Sequence, residues 1–145
     1  MGNISKDIHS SFKNDKQKAM LNIMYTANWI TSQQNSFFKS FAISPQQYNI
    51  MRILRGAGEI LPVQTIKDRM LQRSPNATRM MDKLCEKHFI KRVACSSDRR
   101  VVQVEITEKG LMLLAEIDKA HPTEYLKNIT MKEAAILSDL LDKIR

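Results

Sequence analysis

The 145-residue sequence has little glycine and little proline, four of each, and its aromatic content is only 6%. So few turn formers favour long helices joined by short connections over a many-stranded sandwich. Four glycines also leave little room for a Gly-rich phosphate loop or a nucleophile elbow, and no enzyme is expected. Cysteine is equally scarce. Cys85 and Cys95, with nine residues between them, have no metal-ligand spacing, and a structural disulfide would be unusual in the cytoplasm. His9, His88 and His121 are scattered without companions, so neither a zinc site nor a cofactor is expected.

Long apolar runs are missing too. Nothing approaches the roughly 18 residues of a membrane span, and MGNISKDIHSSFKNDK lacks the apolar core of a signal peptide. A cytoplasmic location with no membrane partner is the expectation. Lys6 stands where a myristoylation signal wants Ser or Thr. Without secretion, the glycosylation patterns at Asn3, Asn76 and Asn128 are chance matches.

What is present is positive charge, unevenly spread. The 43% hydrophobic content supplies a core for one domain over residues 1–145, and the formal net charge is +8. Between Lys67 and Arg100 there are ten cations against four acids, so most of the excess sits in one quarter of the chain. A basic patch of this kind is the electrostatic footprint of nucleic-acid binding. At its centre lies RSPNATRMMDKLCEKH, residues 73–88. Ser74 and Pro75 read as a helix start, with Ser74 as the N-cap. Ala77, Met80, Met81, Leu84 and Cys85 then recur at helical spacing as one buried face. The opposite side carries Asn76, Thr78, Arg79, Asp82, Lys83, Glu86 and Lys87. Its N-terminal end offers the amide, hydroxyl and guanidinium groups that suit base edges and phosphates. An ordinary solvated face is the plainer alternative.

The neighbouring segments give that helix a context. Gln17 to about Thr31 reads as a helix that can extend back toward Ile8, followed by NSFFKSFAI with its packing phenylalanines. Ser44-Pro45 opens a second helix carrying Ile50, Ile53, Leu54 and Ala57 on one face, ended by GAGE. ILPV is extended because Pro62 biases Leu61 away from the helical region. VQTIKDRMLQR follows as a short helix with Val63, Ile66 and Met70 on one side, and Gln72 and Arg73 alone separate it from Ser74. Two helices joined so tightly form a helix-turn-helix, whose second member enters the major groove. FIKRVACSS and RRVVQVEIT then form a two-stranded hairpin around SSDRR. A helix from Glu108 to about Ala120 follows, with Leu111, Leu114 and Ile117 on one face. Thr130 and Glu133 start a last helix as a capping box, with Leu137, Leu140, Leu141 and Ile144 on its apolar side.

A helix-turn-helix followed by a basic hairpin is a winged helix-turn-helix. ISPQQYNIMRIL, SPNATRMMDKLCEKHFIKR and DRRVVQVEITEKG make residues 43 to 110 resemble the MarR family of bacterial transcription regulators, and Asp-x-Arg, strand, Thr-Glu-Lys-Gly is the most specific part. One departure is His88, where the family usually has Gly; histidine tolerates the left-handed cap more readily than most residues. The resemblance implies a mainly α fold with a small β-hairpin wing, in which N- and C-terminal dimerisation helices flank the winged part. The DNA-binding part spans about 44–106, and about 1–43 and 107–145 serve dimerisation. It implies a homodimer on a pseudo-palindromic double-stranded DNA operator, with Arg100 in the minor groove, Asp98 holding the wing arginine and Arg99 on a phosphate. Ser74, Asn76, Thr78, Arg79 and Lys83 complete the expected DNA-binding set.

A repressor released by a small-molecule effector is the expected mode. The effector is expected in the crevice between dimerisation helices and winged part, where Tyr25, Trp29, Phe37 and Phe41 are candidate lining residues; aromatics at such spacing also serve as core. The alternative is a winged module that docks protein or RNA, against which the polar tip Ser96, Ser97, Asp98, Arg99 and Arg100 argues. Cys95 stands beside Lys91, Arg92, Arg99 and Arg100, cations that would lower a thiol pKa and make it a candidate redox residue. Its plainer reading is a strand residue at the base of the wing.

Overall fold

The structure is a computed structural model that describes residues 2–98, 100–120 and 123–145. It is mainly helical with one small antiparallel sheet. The elements are α1 (Ile4–Asp7), α2 (Asp15–Lys39), α3 (Pro45–Ala57), β1 (Leu61–Pro62), α4 (Val63–Arg69), α5 (Ala77–Glu86), β2 (Ile90–Ala94), β3 (Val102–Ile106), α6 (Glu108–Ala120), a 3-10 turn (Thr123–Leu126) and α7 (Met131–Asp142). The chain divides into two compact units. The central unit is Gln33–Ala120, and the terminal unit is Met1–Ser32 with His121–Arg145.

The central unit holds a continuous core. Phe38, Ile50, Met51 and Leu54 meet Ile66 of α4, Met81 and Leu84 of α5, Ile90 and Val104 of the sheet, and Leu114 and Ile117 of α6. Burying one such side chain contributes about 1.5–3 kcal/mol. The sheet has the order β1-β3-β2, so the expected two-stranded hairpin gains a third, two-residue strand in which Leu61 pairs with Val104 and Pro62 with Gln103. Pro62 is tolerated because β1 is an edge strand. In the hairpin Lys91 lies opposite Glu105, and their side chains form an ion pair of 2.8 Å.

Three features of the helices differ from the sequence reading. α2 runs 25 residues from Asp15 to Lys39 instead of stopping near Thr31 or reaching back to Ile8. Asn14 starts it, its side-chain oxygen accepting from the Gln17 N–H at 2.9 Å. The polar run after Ile30 contains no Gly or Pro to stop the helix, and burial of Phe38 stabilises its last turns. At its end Ala42 adopts φ 54°, the Ala42 N–H bonds the Lys39 carbonyl and the Ile43 N–H bonds the Phe38 carbonyl. These paired bonds are a Schellman cap. In α6 the buried positions are Gly110, Leu114 and Ile117, while Leu111 is 41% exposed. Leu114 and Ile117 are buried as expected, and only Leu111 gives way to Gly110, where α6 approaches the Phe89 carbonyl and a Cβ would lie 2.2 Å from that oxygen.

The third difference is the start of α5. Seven residues separate α4 from α5, where the sequence reading had only Gln72 and Arg73 before a cap at Ser74. Met70 turns extended (ψ 135°) and puts its side chain into the core, which ends α4, while the Asn49 side chain accepts from the Leu71 N–H at 3.0 Å. Ser74 and Pro75 belong to a turn: the Ser74 hydroxyl accepts from Asn76 N–H and its carbonyl from Ala77 N–H. Asn76 is therefore the N-cap, with no side-chain cap bond.

The terminal unit is built differently. α7 begins at a reciprocal capping box between Thr130 and Glu133, as its sequence predicts. Those hydrogen bonds hold the Glu133 carboxyl below its usual pKa. Yet no residue of α7 is buried, and Ile136, Leu137, Leu140 and Ile144 are exposed along with Met20, Ile23 and Met24 of α2. Ile23, Ala27 and Ile30 with Leu137, Leu140 and Leu141 line an apolar groove of about 700 Å³. No described helix is long and apolar enough to cross a membrane.

Candidate nucleic-acid interface

The second helix of the helix-turn-helix is two-sided. Ala77, Met81 and Leu84 are buried at 0–1% exposure, whereas Asn76, Thr78, Arg79 and Lys83 are exposed. Among the described residues, neither Arg79 nor Lys83 has a carboxylate within ion-pair distance. Ser74 sits half-buried in the turn that leads into the helix.

Several bonds fix this helix from outside. The Gln47 amide of α3 donates to the Met80 carbonyl at 3.4 Å, and Arg92 of β2 pairs with Asp82. At the far end the Lys87 ammonium donates to the Ala42 carbonyl, tying α5 to the cap of α2. His88 adopts φ 61°, with its N–H on the Cys85 carbonyl and the Phe89 N–H on the Leu84 carbonyl. Histidine thus fills the left-handed position of a Schellman cap, where glycine would be unstrained.

Thr107, Lys109 and Gly110 complete this end. The Thr107 hydroxyl donates to the carbonyls of His88 (2.7 Å) or Phe89 (3.0 Å) and accepts from the Gly110 N–H (3.1 Å). Lys109 donates to the Lys87 carbonyl at 3.0 Å, placing a cation where the helix dipole favours one. The Thr-Glu-Lys-Gly stretch therefore clamps the C-terminus of α5 to the N-terminus of α6. The stretch is conspicuous in the sequence, but its role needs contacts between residues 18 to 22 positions apart to be seen. Asp82 with Arg92, and Lys87 with Ala42, carry no sequence signal at all.

At the wing, Asp98 and Arg100 are exposed. The Asp98 carboxylate accepts from the Arg100 backbone N–H at 2.9 Å, and its carbonyl accepts from Val101 N–H, so Asp98 shapes the tip through the backbone. Arg99 lies outside the described residues. The Cys95 thiol lies 3.2 Å from the Ser97 hydroxyl. Its pKa is lowered, first by Ser97 and then by the backbone N–H groups of Asp98 and Ser97. Among the described residues the expected cations are not the cause, because oriented hydrogen bonds at the thiolate act more directly than exposed, screened charges. Cys85, half-buried on α5, is pushed the other way by burial, opposed by Arg92.

The four aromatic candidates divide. Tyr25 and Trp29, 43% and 45% exposed, belong to the terminal unit, where Trp29 meets Tyr125 edge-on at 6.3 Å. Phe37 and Phe41 belong to the central unit, 5.4 Å apart and packed against its core.

Residues 43–102 match the model of the MarR family. Over 118 residues the chain is 30% identical to the HTH-type transcriptional regulator MhqR of Bacillus subtilis (strain 168), covering 79% of this chain and 81% of that protein. A MarR transcription factor structure from Planctomyces limnophilus is 29% identical, with TM-score 0.71 over 91% of this chain and 98% of that one. A cysteine-to-serine variant of MarR from E. coli, solved with operator DNA, shares the fold at 23% identity and TM-score 0.78, covering 93% and 99%. The identity and coverage shared with MhqR, joined to the winged helix-turn-helix and its clamp, establish that this chain belongs to the MarR family of transcription regulators.

Proposed function

We propose that the protein is a sequence-specific DNA-binding repressor, acting as a homodimer on a pseudo-palindromic operator and released by a small-molecule effector. The observation that carries the reading is α5: one side buries Ala77, Met81 and Leu84 with Met80 and Cys85 half-buried beside them, and the other exposes Thr78, Arg79 and Lys83 with both cations free of carboxylates among the described residues. Arg79 in its first turns reads base edges, with Asn76 and Thr78 beside it, while Ser74 and Lys83 meet the backbone. Arg100 enters the minor groove from a tip shaped by Asp98, where a narrow groove concentrates negative potential, and Arg99 contacts phosphate. The DNA-binding part is about 44–106, and the flanking segments about 1–43 and 107–145 serve dimerisation. The apolar groove of the terminal unit supports that assignment. The effector contacts proposed are Tyr25 and Trp29, whose rings are exposed, together with Phe37 and Phe41. The likeness to a MarR protein solved on operator DNA favours duplex DNA over a protein or RNA partner.

The test is selection of bound genomic duplex fragments, followed by affinity measurements across a salt series with matched RNA as competitor. Arg79→Ala should relax sequence preference at a cost of about 1–3 kcal/mol on the operator. Lys83→Ala should weaken all duplexes alike and lower the salt slope by about one. Arg100→Ala should cost about 1–3 kcal/mol, mainly on operators with A·T-rich flanks. Equal, sequence-independent losses at Arg79 and Lys83, or RNA competing as well as duplex, would reject the reading.

A further inference from the structure

The outer side of α5 is not uniform. Thr78, Arg79 and Lys83 are exposed, whereas Asp82 and Lys87 are half-buried and bonded to the protein itself: Asp82 to Arg92 of β2, and the Lys87 ammonium to the Ala42 carbonyl at the cap of α2. The two ends of the helix are also unequal. At the C-terminal end the carbonyls of Lys83, Leu84 and Cys85 accept from the N–H groups of Lys87, Phe89 and His88, and the Lys87 carbonyl accepts from the Lys109 ammonium. At the N-terminal end Asn76 makes no side-chain cap bond. α5 is therefore anchored behind its C-terminus and open at the end that carries Thr78 and Arg79. Lys87 and Arg79 are eight positions apart, a lever of about 12 Å along a helix. A tilt of about 5° at the anchor moves Arg79 by about 1 Å, whereas the donor–acceptor distance of a good hydrogen bond varies by only about 0.5 Å. Paired contacts to a base edge are lost at that displacement, while attraction to phosphate, which depends weakly on position, is kept.

We propose that Lys87 is a positioning residue for sequence recognition: its ammonium holds the C-terminal end of α5 on the Ala42 carbonyl so that Arg79 meets base edges, and it touches no DNA itself. This role rests on the proposed reading of base edges by Arg79. Sequence pattern puts Lys87 on the outer side one turn beyond Lys83, and charge alone would make both of them backbone contacts. The geometry separates the two, because Lys83 has no carboxylate within ion-pair distance among the described residues while the Lys87 ammonium is engaged 45 positions away in sequence. A cation suits that place. The C-terminal ends of α2 and α5 both carry partial negative charge, which an ammonium shared between them offsets. The Ala42 carbonyl is itself held by the left-handed turn that caps α2, with Ala42 at φ 54°, so the anchor is a fixed point of the backbone.

The test measures the affinity of the full chain for a duplex recovered by genomic selection and for a scrambled duplex of the same length, across a salt series. Lys87→Met should lower the ratio of the two affinities roughly tenfold, and leave affinity for the scrambled duplex and its salt slope unchanged. Lys87→Gln, too short to reach the carbonyl, serves if Lys87→Met does not fold. Lys87→Arg keeps a long cationic donor and should restore the ratio. Combined with Arg79→Ala, Lys87→Met should add no further loss of ratio, because it acts through Arg79. A uniform loss on both duplexes, with the salt slope lower by about one, would make Lys87 a phosphate contact and overturn the proposal. So would an unchanged ratio, a ratio that arginine does not restore, or losses at Lys87 and Arg79 that add. A sequence preference that survives Arg79→Ala rejects instead the reading of bases by Arg79, and the role of Lys87 falls with it.

Discussion

The central and terminal units have similar proportions of apolar residues and use them to opposite effect. In the central unit Ile50, Met51, Leu54, Ile66, Met81 and Leu84 are essentially inaccessible, and the helix that carries the candidate interface is held at both ends. In the terminal unit Met20, Ile23, Met24, Leu137, Leu140 and Ile144 stay exposed around a groove. An apolar stripe at helical spacing thus states that a helix has a buried side; it does not state whether the chain itself buries it. The central unit closes its own core, whereas the terminal unit leaves its apolar groove open, which supports the proposed homodimer.

The largest expected effect breaks this contrast on the terminal side. Leu137→Glu with Leu141→Glu places charges on the groove, and the double variant should sediment as a monomer, or fail to fold if no stable monomer exists. Tight operator binding should fall to weak, salt-sensitive binding. A wild type that sediments as a monomer at micromolar concentration, or a double variant that remains a dimer, would show that the groove is not an interface. Next comes a paired truncation. Leu84→Ala should cost about 2–5 kcal/mol in urea unfolding at any protein concentration. If the proposed homodimer covers the groove, Leu140→Ala should lower stability by less and in a concentration-dependent way, because its burial would then come from association.

A smaller effect sharpens the account of the helix ends. Both Schellman caps of the central unit carry a non-glycine left-handed residue, Ala42 at φ 54° and His88 at φ 61°. Ala42→Gly should raise stability by about 1 kcal/mol, visible as a higher urea midpoint with unchanged slope. Gly110→Ala should act in the opposite sense, because its Cβ meets a backbone carbonyl that cannot swing aside. The smallest effect is chemical and concerns the two thiols. Cys95 is lowered by Ser97 and backbone N–H groups and Cys85 is raised by burial, so at pH 8 Cys95 has the larger thiolate fraction. Iodoacetamide should alkylate it about tenfold faster, a difference that mass spectrometry resolves. Ser97→Ala should narrow that gap.

Much of the architecture could be read from residues alone because it depends on neighbours in sequence. The buried stripe Ala77, Met81, Leu84 is a matter of helical period, the Thr130 capping box is a three-residue geometry, and the alternation Val102, Val104, Ile106 is a strand period. His88 as a left-handed cap and Glu108 as the start of α6 are equally local. Tertiary structure decided what local rules leave open. Whether α2 stops near Thr31 or reaches Lys39 depends on Phe38 finding the core, and where α5 begins depends on Met70 leaving its helix to be buried. The Asp82–Arg92 pair and the Lys87–Ala42 tie join residues 10 and 45 positions apart. Backbone hydrogen bonding and side-chain period act over a few residues and are written in order along the chain, whereas packing and charge pairing act through space and exist only once the chain has closed on itself.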